Sequence, residues 1–166
     1  MWADLETSLH EAPLFQVEKP DDRKRLTELH RVGMFRSLLQ YSPGVHVHAI
    51  PNAGKRGYAA QRQAKKEGMV AGVFDLCVTW RGAGVAWCEF KGFDARGRAG
   101  SLSQAQIDWG NSQFRIGHNV ACFFSPERAV EWLRGCGAPV MNFKTNGANG
   151  VAALSAPSPA KRTLAK

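Results

Sequence analysis

Asp75, Glu89 and Lys91 are the residues whose types and spacing can do chemistry. They lie in the stretch Gly72 to Lys91, GVFDLCVTWRGAGVAWCEFK. It reads as two apolar strands, roughly 73–80 and 84–91, joined by a tight Arg81-Gly82-Ala83-Gly84 turn. Each strand holds an acid where a core strand wants an apolar residue. A lone buried carboxylate is costly unless it is paired or bound to a metal. Alternation puts Val85, Trp87, Glu89 and Lys91 on one face of the second strand. Asp75 and Glu89 are equidistant from Gly82, so a simple hairpin register sets them opposite each other. Opposed acids repel unless a cation sits between them. Oxygen-only ligation suits Mg²⁺ or Mn²⁺. Such an ion binds a phosphoryl oxygen, activates water and stabilises a leaving oxygen. Lys91 then orients the water or stabilises the charged transition state. A role as base would need a lowered pKa, which the neighbouring acids oppose. A strand-end salt bridge is the plainer account of any one of these residues. The set of three, in a basic domain, points to a hydrolytic metal site.

The charge balance supports an anionic partner. The net charge is +8, and it is unevenly placed. Residues 1–22 hold six acids and one base, whereas residues 142–166 hold four bases and no acid. Between 23 and 141 there are 17 bases against eight acids. The expected folded part is therefore basic in its own right, which favours nucleic acid. A membrane-surface role would need a basic amphipathic helix with an adequate apolar face, and none is legible. No run of 18 apolar residues and no leader-like apolar segment occurs, so a non-spanning cytoplasmic protein is expected. Cys77, Cys88, Cys122 and Cys136 form no CxxC pair and lie mostly in apolar runs, as reduced buried thiols do.

The elements that must position the site follow from pattern and punctuation. Residues 1–20 read as a loosely ordered acidic arm, with Trp2 and Phe15 able to dock. A helix is expected from Asp21 or Asp22, capped by these acids. Leu26, Leu29, Met34, Phe35, Leu38 and Leu39 form its stripe, and Tyr41-Ser42-Pro43-Gly44 ends it. Val45 to Ile50, VHVHAI, reads as a strand with His46 and His48 on one face. Those histidines are either metal ligands or, more simply, the wet face of an edge strand. Lys55 to Gly68 carries five bases and one acid, and Ala59 to Glu67 is good helix material stopped by Gly68. This run is either a solvated helix face or a phosphate-contacting segment. A loop follows Lys91 and exposes Arg96 and Arg98. Ser101 or Ser103 then caps a helix through about Phe114, with Gln106 and Trp109 on one face. Asn119 to Phe124 is a third core strand. Ser125-Pro126-Glu127 opens a helix through Leu133, ended by Gly135 and Gly137. Val140-Met141 is a candidate last strand. Residues 21–141 thus form one α/β domain, a small mixed β-sheet flanked by helices, and 142–166 read as a disordered basic tail.

Asp75 followed by Glu89-Phe90-Lys91 resembles the PD-(D/E)xK nuclease core. More narrowly, about Glu28 to Ala138 resembles the virus-type replication-repair nuclease domain, VRR-NUC. The matching segments, in order, are Ile50-Pro51-Asn52-Ala53-Gly54-Lys55-Arg56, Glu67-Gly68 with Ala71 to Asp75, Glu89-Phe90-Lys91, and Leu102 to Gln106 with Trp109. Phe74 stands where the family usually has proline. The resemblance implies a restriction-endonuclease-like fold and a metal-dependent nuclease. It implies Asp75 and Glu89 as ligands of Mg²⁺ or Mn²⁺, with the Phe90 carbonyl as a third. Lys91 becomes the catalytic lysine, Gln106 the helix glutamine that completes the site, and Glu28 the acid on the first helix. Candidate nucleic-acid contacts are Asn52, Lys55, Arg56, Arg62 and Lys65, together with Arg96 and Arg98. Stand-alone members of viral origin resemble junction-resolving enzymes, which implies branched or structured DNA as substrate and a homodimer. A non-catalytic DNA-binding accessory protein and a metal-dependent nuclease of RNA or linear DNA are the alternatives.

Overall fold

The hairpin expected at the centre of the chain forms, with its first strand starting at Leu76 rather than near Val73, so Asp75 lies just before it. Strand β3 (Leu76–Trp80) pairs antiparallel with β4 (Gly84–Phe90), from Leu76 opposite Cys88 to Trp80 opposite Gly84. The reversal uses left-handed backbone at Gly82 (φ 84°) and Ala83 (φ 60°). One step beyond the ladder, the Asp75 N–H donates to Glu89 Oε2 at 3.1 Å. The opposition of Asp75 and Glu89 inferred from the turn centre is thus realised.

The computed structural model describes residues 11–20, 25–51, 62–63, 66–146 and 150–154, with the backbone alone for 142–154. The remaining elements are β1 (Gln16–Val17), α1 (Glu28–Leu39), β2 (Val45–Ala49), α2 (Gln104–Arg115), β5 (Asn119–Phe123), α3 (Pro126–Gly135), β6 (Asn142–Asn146) and β7 (Gly150–Leu154). Five strands make one mixed sheet in the order β1-β5-β4-β3-β2. Strand β5 returns parallel to β4 after the α2 crossover, with Glu89 beside Cys122. The chain is therefore an α/β protein with a mixed sheet flanked by helices.

Alternation sorts the sheet into two faces. Leu76, Val78, Ala86, Cys88, Phe90 and Phe123 pack with Phe35 of α1 and Leu133 of α3 in the larger core. The opposite face carries a smaller aromatic core of Phe15, Phe74, Val120 and Cys122, packed by Trp87 and by Trp109 of α2. Trp109 lies 5.1 Å from Trp87 and 5.3 Å from Phe74, ring centre to ring centre. Glu89 and Lys91 belong to this second face, at the edge of the aromatic cluster.

Three expectations need correction. First, α1 begins at Glu28, with Thr27 as N-cap, rather than at Asp21 or Asp22. Leu26 is unavailable to a helix because its carbonyl accepts from Phe93 N–H at 2.9 Å, while the Thr27 hydroxyl accepts from His30 N–H. The buried line of α1 is Arg31, Phe35 and Leu39, whereas Leu29 is 82% exposed. A cation replaces the expected leucine because its surroundings satisfy it. Arg31 Nε donates to Leu26 O, its guanidinium also donates to Phe124 O, and it lies over the Phe93 and Phe124 rings.

Second, residues 11–20 are packed. Gln16 and Val17 pair parallel with Ala121 and Cys122, and Phe15 is buried against Phe74. Glu18 is buried, and its Oε2 accepts from Phe124 and Ser125 N–H at 2.8 Å each. An acidic composition hid one carboxylate whose work is to hold the end of β5. Third, the chain past Asn142 forms an antiparallel pair, β6 with β7, where disorder was expected up to Leu154. The candidate strand at Val140-Met141 begins instead at Asn142, and Val140 is a core residue.

Other expectations hold. Ser103 caps α2, and Ser125 caps α3 with Pro126 at its first position. All four cysteines are free thiols, and burial raises the Cys77, Cys88, Cys122 and Cys136 pKa values. Arg62, Gln63 and Lys66 are helical, and Gly68 (φ 87°) follows them; the rest of the expected 59–67 helix lies outside the described residues. Among the described residues no helix is long and apolar enough to cross a membrane.

Candidate functional site

Glu89 is the centre of the site, and it is only 1% exposed. Its Oε1 accepts from Lys91 Nζ at 2.7 Å and from Gln106 Nε2 at 2.6 Å. Its Oε2 accepts the Asp75 N–H. Lys91 Nζ also donates to Gln106 Oε1 at 3.1 Å. One buried carboxylate is thus bound by two strands and a helix, which is how a charge stays stable in a dry place.

Local sequence places each partner. Glu89 and Lys91 share a face because they are two apart on β4. The Lys91 N–H bonds to Phe123 O at 2.9 Å, so the parallel pairing continues through the lysine. Gln106 is third in α2 and completes a capping box with Ser103. The Ser103 hydroxyl accepts from Gln106 N–H, and the Gln106 side chain accepts from Ser103 N–H at 3.0 Å. The capping box aims the glutamine, whose amide is left pointing at Glu89. The resemblance implied Gln106 in the site, while the capping box that aims it appears only in the structure.

Two glycines let the helices approach. At Gly72 (φ 83°) a Cβ would lie 2.0 Å from Ala105 O, so the backbone before β3 sits directly on the first turn of α2. At Gly92 a Cβ would lie 2.1 Å from Glu28 N, which seats the start of α1 on the end of β4. These contacts bring Gln106 and Glu28 to the sheet. Neither was legible as a site determinant, since each depends on a partner distant in sequence.

Glu28 joins the group from α1. Its pKa is pushed up to about 7, first by burial and then by the nearby Glu89 and Asp75 charges and a hydrogen bond with Asp75, against the pull of Lys91. Its solvent side stays exposed. Burial and the Asp75 charge also raise Glu89, while Lys91 opposes them. Burial works to lower Lys91, yet the charge and hydrogen bond of Glu89 outweigh it and hold the ammonium above its ordinary value. The geometry therefore keeps Lys91 protonated against Glu89.

The donor set has the right chemistry for a hard cation: Asp75 and Glu89, with Glu28 electrostatically coupled to both. Phe90, the candidate carbonyl ligand, turns its ring into the opposite core, and its backbone lies between Glu89 and Lys91. Among the described residues no three His, Cys, Asp or Glu side chains are gathered closely enough to hold an ion. A cation at Glu89 competes with the hydrogen bonds already made there.

The structure brings Asp75, Glu89, Lys91, Gln106 and Glu28 together. Asn52, Lys55, Arg56 and Lys65 lie outside the described residues, and Arg62 is exposed on its helical turn. Arg96 and Arg98 are exposed in a loop organised by Asp94, which sequence reasoning missed. Asp94 Oδ1 accepts both arginine N–H groups at 2.9 Å, and its Oδ2 binds the Arg98 guanidinium. His46 and His48 are exposed on β2, an edge strand, with ring centres 6.5 Å apart. That arrangement matches the wet-face account. Comparison of the chain with protein-family models, with curated proteins and with solved structures returned no match.

Proposed function

We propose that the protein is a metal-dependent nuclease with a restriction-endonuclease-like PD-(D/E)xK core. It hydrolyses phosphodiester bonds in DNA, on branched or structured substrates, and acts as a homodimer in replication, recombination or repair. The observation that carries the reading is the convergence of Lys91 and Gln106 on the buried Glu89 carboxylate beside Asp75. A structural ion pair needs only two partners. Here a helix glutamine joins the lysine on Glu89, the opposed Asp75 donates its N–H to the same carboxylate, and Glu28 acts on both acids through its charge, on a basic domain.

In this reading Asp75 and Glu89 would hold Mg²⁺ or Mn²⁺, with the Phe90 carbonyl as a further oxygen donor, and the ion would supply Lewis-acid charge and water activation. The protein's own groups do the rest. A water oxygen adds to phosphorus as its proton passes to bulk water, the P–O bond to the leaving nucleoside breaks, and the leaving oxygen takes up a proton from solvent, giving a phosphomonoester and a hydroxyl. Lys91, kept protonated by Glu89, stabilises charge that develops on the phosphoryl oxygens. In the metal-free site the Glu89 charge and hydrogen bond hold Lys91 above its ordinary value. Gln106 holds Glu89 in orientation, and Glu28 borders the cluster as a further oxygen donor.

The test is cleavage of four-way, flap and linear DNA in Mg²⁺ and in Mn²⁺. Asp75→Ala, Glu89→Ala and Lys91→Ala each abolish cleavage while DNA affinity stays within a few fold. Metal-dependent cleavage retained in a clean Glu89→Ala preparation refutes the assignment.

A further inference from the structure

A cleft of about 480 Å³ opens beside the cluster, with Glu28 on one wall. Its other walls are Phe93, Asp94, Arg98, Gly100 and Ser101. Gly100, on its wall, packs against the stem of Lys91: a Cβ there would lie 3.6 Å from Lys91 Cδ. Its rim is a small closed loop: Phe93 bridges Ala99, Gly100 N–H donates to Gly92 O at 2.8 Å, and Asp94 clamps Arg98. The loop is therefore shaped before any ligand arrives.

The lining offers a phosphate no unpaired cation: Arg98 is already paired with Asp94, and the remaining titratable wall is Glu28, whose pKa is pushed up to about 7. What suits such walls is an uncharged, hydrogen-bonding heterocycle. The volume lies in the usual range for small-ligand sites, roughly 300–1,000 Å³. In the nuclease reading a phosphodiester at Glu89 and Lys91 carries a nucleoside on each side, and Glu28, which borders both the cluster and the cleft, opens the cleft to one of them.

We propose that the cleft takes an unpaired nucleobase next to the scissile phosphate, which makes a displaced nucleotide the feature the protein recognises in structured DNA. The inference rests on the nuclease reading for the placement of the phosphate. Bringing a paired base into the cleft requires unstacking and unpairing it, at a few kcal/mol, and a bulged or flapped nucleotide avoids most of this. Structure selectivity then follows from the cleft without any base-specific contact in a groove.

The experiment compares three DNA duplexes that differ at one position: fully paired, a one-nucleotide bulge with a base, and the same bulge made abasic. Binding is measured in Ca²⁺, with 2-aminopurine as the bulged base, and cleavage in Mn²⁺. Wild type binds the base-bearing bulge about tenfold more tightly than the abasic one, and 2-aminopurine fluorescence changes on binding. Ser101→Trp, at an exposed position, fills the cleft and erases both differences, while affinity for the paired duplex and the melting temperature are unchanged. Ala99→Phe, at a second residue that lines the cleft, repeats the result. Equal affinity for base-bearing and abasic bulges overturns the proposal whether or not the DNA is cut. Base-dependent binding without cleavage leaves the cleft standing and removes the nuclease reading.

Discussion

Replacing Lys91 by methionine tests the electrostatic logic of the site without any assumption about substrate. The change keeps most of the apolar stem and removes the ammonium. Glu89, 1% exposed, then keeps only the Gln106 amide and the Asp75 N–H as donors. Breaking a buried pair by removing one partner costs roughly 3–5 kcal/mol, because a charge is left uncompensated. Glu89 can escape by taking a proton. Its pKa is already raised from 4.5 by burial and by Asp75, and loss of Lys91 removes the main opposing influence. In the variant the folded state therefore holds this proton to a higher pH than the unfolded chain does. That contribution is fully present below pH 4.5 and is lost as pH rises through the folded-state value. The expected destabilisation is small at pH 5 and on the order of 3 kcal/mol at pH 8. Urea unfolding in EDTA reads it. With a slope of about 1.5 kcal/mol/M, the pH 8 midpoint falls by about 2 M. The double variant Glu89→Gln/Lys91→Met recovers most of the loss, since no charge remains buried. Added Mg²⁺ stabilises Lys91→Met more than wild type, because a cation takes over the ammonium's place. Equal losses at pH 5 and pH 8 would show that packing, not charge, dominates, and the electrostatic reasoning would fail.

Two other outcomes follow from the geometry. Gly72→Ala places a methyl group on Ala105 O in a backbone conformation that L residues avoid, so it costs about 3 kcal/mol and shifts α2. The melting temperature falls with it, and a variant that melts like wild type contradicts the close approach. Glu28→Gln removes a carboxyl whose folded pKa lies near 7 against an ordinary 4.5. The wild type loses stability between these values as Glu28 ionises, so the variant matches it near pH 4 and exceeds it above pH 7. Thermal melts at pH 4.5 and pH 8 in EDTA check this, and an unchanged difference between the two contradicts it.

Much of the site was legible because it is built from short-range regularities. The two-residue period of a strand puts Glu89 and Lys91 on one face in any sheet that buries β4. The turn at Gly82 and Ala83 sets the register, and the register alone brings Asp75 opposite Glu89. Gln106 was legible as a residue sharing its helix face with Trp109, and that face does meet the sheet. The caps at Ser103 and Ser125 are local chemistry as well. Glu28 was reached through the family resemblance, since its own helix was read as starting several residues too early.

The misreadings share a cause. Leu29 and Arg31 appear as core and surface by residue type, yet Arg31 is buried because Leu26, Phe93 and Phe124 answer its guanidinium. The segment around Glu18 looked like a loose acidic arm until β5 supplied a strand edge and two N–H groups. Composition cannot reveal a partner a hundred residues away.

The sequence by itself determined the hairpin, its register, the shared face of Glu89 and Lys91, and the capped helices. Each depends on dihedral preference, alternation or a turn, all carried by neighbouring residues. Tertiary structure alone decided how far the acids are buried, and so the raised pKa values of Glu28 and Glu89. It also decided the hydrogen bond by which Gln106, already implied by the resemblance, meets Glu89, and the cleft beside Glu28. Those properties arise where segments distant in the chain exclude water together, and desolvation is a property of the assembled volume rather than of any stretch within it.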